Sequence, residues 1–236
     1  MKLITRNEWG MREPRRSYSS RVDINYIIIH HTGGKNRLLD DYSGVDSVRS
    51  IERHHMDTNG WNAIGYHYLI GANGDVYEGR PEWAIGAHAG GHNTDSIGIM
   101  LWGNFELEEP TSEQVKSLVY LLNKLQGKYG VLDTGIKGHR DVGNTACPGK
   151  NLYLLLDSIK LQLFIESDYD SKSDSKSDSK SDSKSDSKSD STAPLDKAPL
   201  DKATVVKKLR DSKQLLVEAG KLLAKATDIL QQLEDK

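Results

Sequence analysis

The stretch NYIIIHHT, residues 25–32, contains three consecutive isoleucines followed by His30 and His31. Three adjacent β-branched apolar residues leave no polar face, which is typical of a strand buried on both sides within a sheet. The histidines come where that strand ends and before two flexible glycines. The sequence therefore predicts a central buried strand that brings polar side chains to one edge of the sheet.

More strands are predicted further along the chain. Asn73-Gly74 separates two strand-like runs, which is a strong signal for a β-hairpin. The run SIGIMLWGNF, residues 96–105, is apolar enough for a second buried strand. GIKGH, residues 135–139, predicts a short strand that ends at another histidine.

Helices are predicted between and after these strands. The clearest covers residues 110–130, where Thr111 and Gln114 have the spacing of a capping box and Gly130 can end the helix. Two others are predicted over residues 43–56 and 152–164. Because strands and helices are mixed without a strict repeat of strand, helix and strand, we predict an α/β fold with a central mixed sheet flanked by helices.

Composition excludes some functions. The chain has 236 residues and a net charge of −2, whereas a nucleic-acid-binding protein needs a basic face to neutralise phosphates. The opening MKLITRNEWG lacks the apolar centre of a signal peptide, and no later run is long enough to span a bilayer. We therefore expect a chain made in the cytoplasm without stable membrane insertion, which reaches a target outside the cell only after release.

The composition changes sharply after residue 165. Residues 166–202 contain repeats of Ser-Asp-Ser-Lys and two copies of APLDK, which predicts a flexible, disordered linker between a domain at 1–165 and the C-terminal segment. Residues 203–236 carry apolar residues at alternating steps of four and three, the pattern of a heptad seam. We predict a separate amphipathic α-helix that associates with copies of itself in a bundle of two to four chains. Direct binding of the helix to an external polymer or to a membrane surface is the competing hypothesis, and its polar face of mixed charge disfavours the membrane.

The only cysteine, Cys147, lies in GHRDVGNTACPG, residues 138–149, eight positions after His139. A lone thiol can be a buried apolar group, a nucleophile or a metal ligand. The polar, turn-forming surroundings disfavour the first of these. Together with His30 at another strand end, His139 and Cys147 make three ligands, the number that a catalytic zinc keeps while its fourth position stays open for water.

Four motifs are similar, in their order and spacing, to those of the zinc-dependent N-acetylmuramoyl-L-alanine amidases, a family that includes phage lysis enzymes and animal peptidoglycan recognition proteins. They are IIIHHTGG, GWNAIGYHYLIGANGDVYEGR, GAHAGGHNTDSIGIMLWGNF and GHRDVGNTACPG. The opening ITRNEWG also resembles the start of that domain, so the resemblance covers roughly residues 3–160. It implies the amidase and peptidoglycan recognition fold, Zn²⁺ as cofactor and bacterial peptidoglycan as substrate. It also implies cell-wall lysis by hydrolysis of the amide bond between N-acetylmuramic acid and L-alanine, as by a phage endolysin released through a holin.

The resemblance also implies roles for individual residues. It places zinc on His30, His139 and Cys147, and assigns Tyr66 and Thr145 to the catalytic centre. Thr145 stands where many phage members have lysine and where catalytic recognition proteins have threonine. The implied substrate-binding residues are His55, Gly60, Trp61, Arg80, His88 and Asn93. The Gly-Trp pair and the arginine imply a preference for stem peptides of the diaminopimelate type, because arginine can pair with the additional carboxylate.

Two other functions use the same residues. A non-catalytic module would bind peptidoglycan without cutting it, but the intact ligand set argues against this alternative. A cysteine peptidase would use Cys147 and His139, but the following Pro148-Gly149 provides no helix start at the thiol to activate it. Zinc stoichiometry and clearing of cell walls in the presence and absence of a chelator distinguish these functions from a zinc amidase.

Overall fold

A single sheet organises the part of the chain that the computed structural model describes, residues 1–21 and 23–173, with side chains described as far as Leu163. Within these residues the strands are β1 Leu3–Ile4, β2 Tyr26–His31, β3 Tyr68–Ile70, β4 Val76–Glu78, β5 Ser96–Leu101 and β6 Ile136–Gly138. Their order in the sheet is β1-β4-β3-β5-β2-β6. Neighbouring strands run parallel except for the antiparallel pair β3 and β4. The mixed sheet that the sequence predicts is confirmed.

Helices cover both faces of this sheet. They are α1 Arg6–Trp9, α2 Val45–Arg53, α3 Ser112–Tyr129 and α4 Lys150–Ser173. The predicted capping box of α3 is present, because Gln114 N donates to Thr111 Oγ1 and Thr111 N donates to Gln114 Oε1, each over 3.1 Å. Gly130 ends α3 with a φ of +68°, a left-handed conformation that favours glycine. α2 continues directly into a π-helical segment, His54–Thr58.

The isoleucines of β2 form the centre of the fold. Ile27, Ile28 and Ile29 are fully buried, since β2 lies between β5 and β6 in the interior of the sheet. One face packs against α3 and α4 through residues such as Leu122 and Leu156. On the other face of the sheet, α1 and α2 contribute a second apolar cluster that includes Trp9, Val48 and Ile51. Burial on both faces explains why this strand has no polar positions before its last two residues.

The predicted hairpin connects β3 to β4 through residues 71–75. Gly74 has a φ of +81°, and its N–H donates to the carbonyl of Gly71 over 2.9 Å. A Cβ at Gly74 would lie 2.8 Å from the carbonyl oxygen of Glu113 at the start of α3. Glycine is therefore required both by the turn and by the close approach of the helix.

The C-terminal predictions fall largely beyond the described residues. α4 continues to Ser173, past residue 165, where the composition of the sequence changes. The remainder of the predicted linker at 166–202 and the predicted helix at 203–236 lie outside the described residues, so both stay predictions. Among the residues that the structure does describe, no helix is sufficiently long and apolar to cross a membrane.

Candidate metal centre

Two parallel neighbouring strands bring the two predicted histidine ligands together. β2 and β6 pair with Ile29 opposite Gly138, so the next residues along each strand, His30 and His139, lie side by side. Their ring centroids are 4.5 Å apart. The His30 side chain is only 1% exposed, whereas His139 begins a short 3-10 turn and is half-buried.

A returning loop brings Cys147 to the same point. The loop is closed by the N–H of Arg140, which donates to the carbonyl of Cys147 over 2.8 Å. The sulfur lies 3.6 Å from Nδ1 of His30 and accepts the backbone N–H of His31 over 3.4 Å. One potential ligand atom from each of His30, His139 and Cys147 lies within 4.8 Å of the other two. Sequence reasoning predicted this convergence from strand ends that are distant in the chain.

The donor set fits a zinc ion in both chemistry and spacing. A thiolate with two imidazoles suits zinc, whereas magnesium and calcium prefer oxygen ligands. Zinc–nitrogen distances of about 2.0 Å and zinc–sulfur distances of about 2.3 Å at a tetrahedral angle separate the two ligand atoms by about 3.5 Å. The distance from His30 Nδ1 to the Cys147 sulfur, 3.6 Å, agrees with that separation.

Burial puts both histidines in the protonation state of a ligand. It lowers the pKa of His30 well below 6.5, an effect to which the neighbouring histidines add, and it also lowers the pKa of His139. Both rings are therefore neutral at pH 7 and each keeps a nitrogen lone pair. Burial raises the pKa of the Cys147 thiol to about 12, against the opposing effect of the His31 N–H. The thiolate form of this ligand thus depends on a nearby cation.

Tyr66 and Thr145 lie beside the three ligands, where the resemblance predicts a catalytic centre. The Tyr66 ring is 5.2 Å from the His30 ring, measured between centroids. Burial raises the pKa of Tyr66 above its ordinary value and Cys147 adds to the shift, so the phenol stays protonated and can donate a hydrogen bond. Thr145 Oγ1 accepts the N–H of Cys147 over 3.1 Å, which fixes the loop just before the sulfur.

A groove with a volume of about 300 Å³ opens next to Tyr66. Its lining residues come from the segment after β2, from α2 and the segment that follows it, and from the residues just before β3: Thr32, Gly33, Gly34, Arg37, Ile51, His54, His55, Asn59 and Tyr66. Tyr66 lies both in this lining and against His30, so the groove leads to the predicted metal ligands. A peptide held in the groove would therefore have one end close to the candidate metal centre.

Three of the predicted substrate-binding residues lie close together, and one of them, His55, lines this groove. His55 stacks on the Trp61 ring, with 4.5 Å between centroids and 30° between planes. The N–H of Gly65 donates to His55 Nδ1 over 3.0 Å and fixes the orientation of the imidazole. Gly60 has a φ of +69°, which lets the chain turn just before Trp61.

The other three predicted substrate-binding residues, like Gly60 and Trp61, are not part of the groove lining. Arg80 is 7% exposed, and its Nε and Nη1 donate to the carbonyls of Ile64 and Ile85 over 2.7 Å and 2.6 Å. This buried guanidinium holds two backbone segments together and does not face the groove, in contrast to its expected role. His88 contacts His30, while Asn93 Oδ1 accepts the N–H of His88.

Several groove residues were not predicted from the sequence. Arg37 is the arginine of the lining, and its guanidinium carbon lies 5.8 Å from the centre of the Trp102 ring. It belongs to a segment between β2 and α2 that has no periodic pattern, so nothing in the sequence identifies the direction of its side chain. His54 and Asn59 reach the groove because a π-helical segment follows α2 and changes the angular spacing of its residues.

The sheet order and the helices on both faces define the fold class of the peptidoglycan recognition proteins and their related amidases. The chain belongs to the family described as N-acetylmuramoyl-L-alanine amidase, whose sequence profile matches residues 20–150. Peptidoglycan-recognition protein SC2 of Drosophila melanogaster is 39% identical over 153 residues, which cover 64% of this chain and 82% of that protein.

Two solved structures show the same relationship. The endolysin N-acetylmuramoyl-L-alanine amidase LysCS from Clostridium intestinale has 34% identity and a TM-score of 0.54, and the match covers 69% of this chain and 95% of that chain. Peptidoglycan recognition protein LE has 28% identity and a TM-score of 0.60, with coverage of 66% and 92%. The latter structure contains tracheal cytotoxin, described as monomeric peptidoglycan of the diaminopimelic acid type.

Proposed function

We propose that this protein is a zinc-dependent hydrolase that cleaves the amide bond between N-acetylmuramic acid and L-alanine in bacterial peptidoglycan. The observation that carries the proposal is the convergence of His30, His139 and Cys147 beside Tyr66 and a peptide-sized groove. Membership of the amidase family supplies the substrate class. A module that only binds peptidoglycan has no need for three metal ligands next to a buried tyrosine.

The residues around the ligands have distinct roles in the proposed reaction. Zinc bound there would polarise the scissile carbonyl and lower the pKa of a bound water toward about 7. The Tyr66 phenol, kept protonated by its buried surroundings, donates to the carbonyl oxygen as negative charge develops on it. Thr145 keeps the Cys147 loop in place through the hydrogen bond to its backbone. His55 and Trp61 hold the peptide side of the substrate at the groove.

Digestion of purified cell walls tests this function directly. An amidase releases new amino groups on L-alanine and creates no new reducing sugars, and a chelator should stop the release until zinc is restored. The second candidate is a module that binds peptidoglycan without cutting it, because relatives of this chain are named peptidoglycan-recognition proteins. It predicts binding to walls with no new amino groups under any metal condition.

We also propose that the substrate is peptidoglycan with diaminopimelate in its stem peptide. Support comes from the ligand bound to peptidoglycan recognition protein LE and from Arg37 in the groove of this chain. A diaminopimelate residue carries a carboxylate that lysine lacks, and a guanidinium can bind it through two parallel hydrogen bonds. Arg37 is the arginine that the groove presents to such a group.

Replacing Arg37 with glutamine is expected to lower kcat/KM on diaminopimelate-type walls about tenfold, the loss expected for one charge-assisted hydrogen bond. Cleavage of lysine-type walls should change little, because the partner carboxylate is absent there. Lys35→Gln is the matched control, since Lys35 is exposed in the same segment and does not line the groove. If Arg80→Lys removes the preference for diaminopimelate-type walls while Arg37→Gln retains it, the role predicted for Arg80 from the sequence is correct. The role proposed for Arg37 from the structure is then wrong.

We further propose that the enzyme acts in cell-wall lysis as an endolysin, made in the cytoplasm and released through a holin. The similarity to the Clostridium endolysin supports this context. Expression in a host with and without a co-expressed holin tests it. Lysis in the holin-containing culture alone is the expected result.

The predicted C-terminal helix gives a separate expectation for oligomeric state. By sedimentation at micromolar concentration, the full chain should behave as a bundle of two to four copies, and a variant that ends at Ser173 should be monomeric. Association would raise the effective concentration of weak wall-binding sites. If the full chain and the shortened variant are both monomeric, self-association is contradicted and direct binding of the helix to the wall is favoured.

A further inference from the structure

The His88 imidazole occupies a space that two glycines leave open. A Cβ at Gly98 would lie 2.5 Å from both Cδ2 and Cγ of His88, and a Cβ at Gly86 would lie 2.5 Å from the same Cδ2. Gly98 is in the interior of β5, between the fully buried Ile97 and Ile99. Glycine weakens a strand interior, and at such a position it often allows another group to approach closely. The position of the His88 ring therefore depends on the absence of side chains at both sites.

The backbone of His88 is fixed as well. Asn93 Oδ1 accepts the N–H groups of both His88 and Ala89, over 2.7 Å and 2.9 Å. The side chain of His88 is 8% exposed, and its ring stands edge-on to the His30 ring with 5.1 Å between centroids. The imidazole is consequently held in a single place by packing and by its own loop.

A metal ion on His30 Nδ1 would set the direction of the hydrogen bond between the two rings. His30 Nε2 lies 3.1 Å from His88 Nδ1, while His30 Nδ1 faces the Cys147 sulfur. A neutral imidazole has one N–H, so a lone pair on His30 Nδ1 for a metal places the hydrogen on Nε2. That N–H then donates to His88 Nδ1. Metal-bound histidines almost always donate the N–H of their second nitrogen to a hydrogen-bond acceptor, most often a carboxylate, a backbone carbonyl or water.

We propose that His88 is a positioning residue for the zinc ligand His30, through acceptance of the His30 Nε2–H by His88 Nδ1. This inference rests on the proposed zinc site. It assigns His88 a role behind the metal centre, in place of the contact with substrate that the resemblance implies. Gly86, Gly98 and Asn93 support the same role, because they seat the acceptor ring.

Three substitutions separate hydrogen bonding from packing. His88→Asn places an amide oxygen near the position of Nδ1, His88→Gln reaches instead toward the position of Nε2, and His88→Leu removes the acceptor. We expect the zinc dissociation constant of the full chain to rise about 10- to 100-fold in His88→Leu and His88→Gln. His88→Asn should stay within a few-fold of the wild type.

The measurement is competition for Zn²⁺ with a chromophoric chelator, supported by the visible spectrum of the Co²⁺-loaded protein, which should be altered in His88→Leu and His88→Gln. Circular dichroism of the metal-free variants verifies folding, and His92→Gln is a control in the same loop. Equal zinc affinity in His88→Leu and the wild type would overturn the proposal, as would an equal loss in all three variants. Because this readout does not use catalysis, a wild type that binds zinc without cleaving walls contradicts only the proposed function.

Discussion

Replacing Cys147 with alanine is expected to reduce wall hydrolysis to the uncatalysed background. The substitution removes the one thiolate of the ligand set, and two imidazoles alone bind zinc far more weakly than three ligands do. His30→Ala and His139→Ala should have the same effect, because each leaves two of the three ligands. Release of L-alanine amino groups measures activity, and elemental analysis should show the bound zinc falling from one ion per chain toward zero.

The control for this series is His92→Ala, which removes a histidine outside the ligand cluster. Its activity and zinc content should match those of the wild type. Treatment of the wild type with a chelator should reproduce the loss, and Zn²⁺ should restore activity whereas Mg²⁺ should not. Full activity in a variant that lacks any one of the three ligands would show that the assignment of the centre is wrong.

Tyr66→Phe is expected to lower kcat about 10²- to 10³-fold, the usual cost of removing one hydrogen-bond donor that stabilises a developing oxyanion. The phenylalanine ring retains the packing against His30, so zinc affinity should stay the same. KM should also change little, because the hydrogen bond strengthens only as charge develops on the carbonyl oxygen. Steady-state kinetics on a soluble muropeptide, with kcat and KM determined separately, provide the measurement.

Tyr42→Phe is the matched control for this experiment. The Tyr42 hydroxyl donates to the Tyr77 hydroxyl over 2.9 Å, and Tyr42 belongs neither to the three ligands nor to the groove lining. Its removal should leave kcat unchanged. Should Tyr66→Phe retain activity within a few-fold of the wild type, the zinc ion and water would account for the chemistry without the phenol.

The sequence predicts elements whose signals are local. β2 is recognised from its adjacent isoleucines, and α3 from its capping box and terminal glycine, since each pattern lies within one element. β1 and α1 were not predicted, because two and four residues are too few to show a period. β1 is defined by pairing of Leu3 with Val76, a contact that no local pattern records.

In the candidate site, too, local patterns are predictable from the sequence and contacts between distant residues are not. The ligands were found because strand ends and a lone cysteine are visible in the sequence, and the motifs of the family strengthen their assignment. The direction of the Arg80 side chain could not be predicted in this way. An arginine at the end of a hairpin can face a substrate or bind backbone carbonyls, and only the fold determines which. The contact of His88 with His30 likewise requires Gly86 in its own loop and Gly98 in β5.

The position of β6 has a consequence for the timing of activity during synthesis. β6 is an edge strand, pairs only with β2 in the sheet of the described residues, and is the last of those strands to leave the ribosome. Both His139 and Cys147 follow it in the chain, so a nascent polypeptide that has folded around β2 still has only His30 of the three ligands. A translation product interrupted before this strand would hold a nearly complete sheet and no hydrolytic centre. The order of the ligands along the chain thus confines the proposed lytic chemistry to molecules that have been translated at least as far as Cys147.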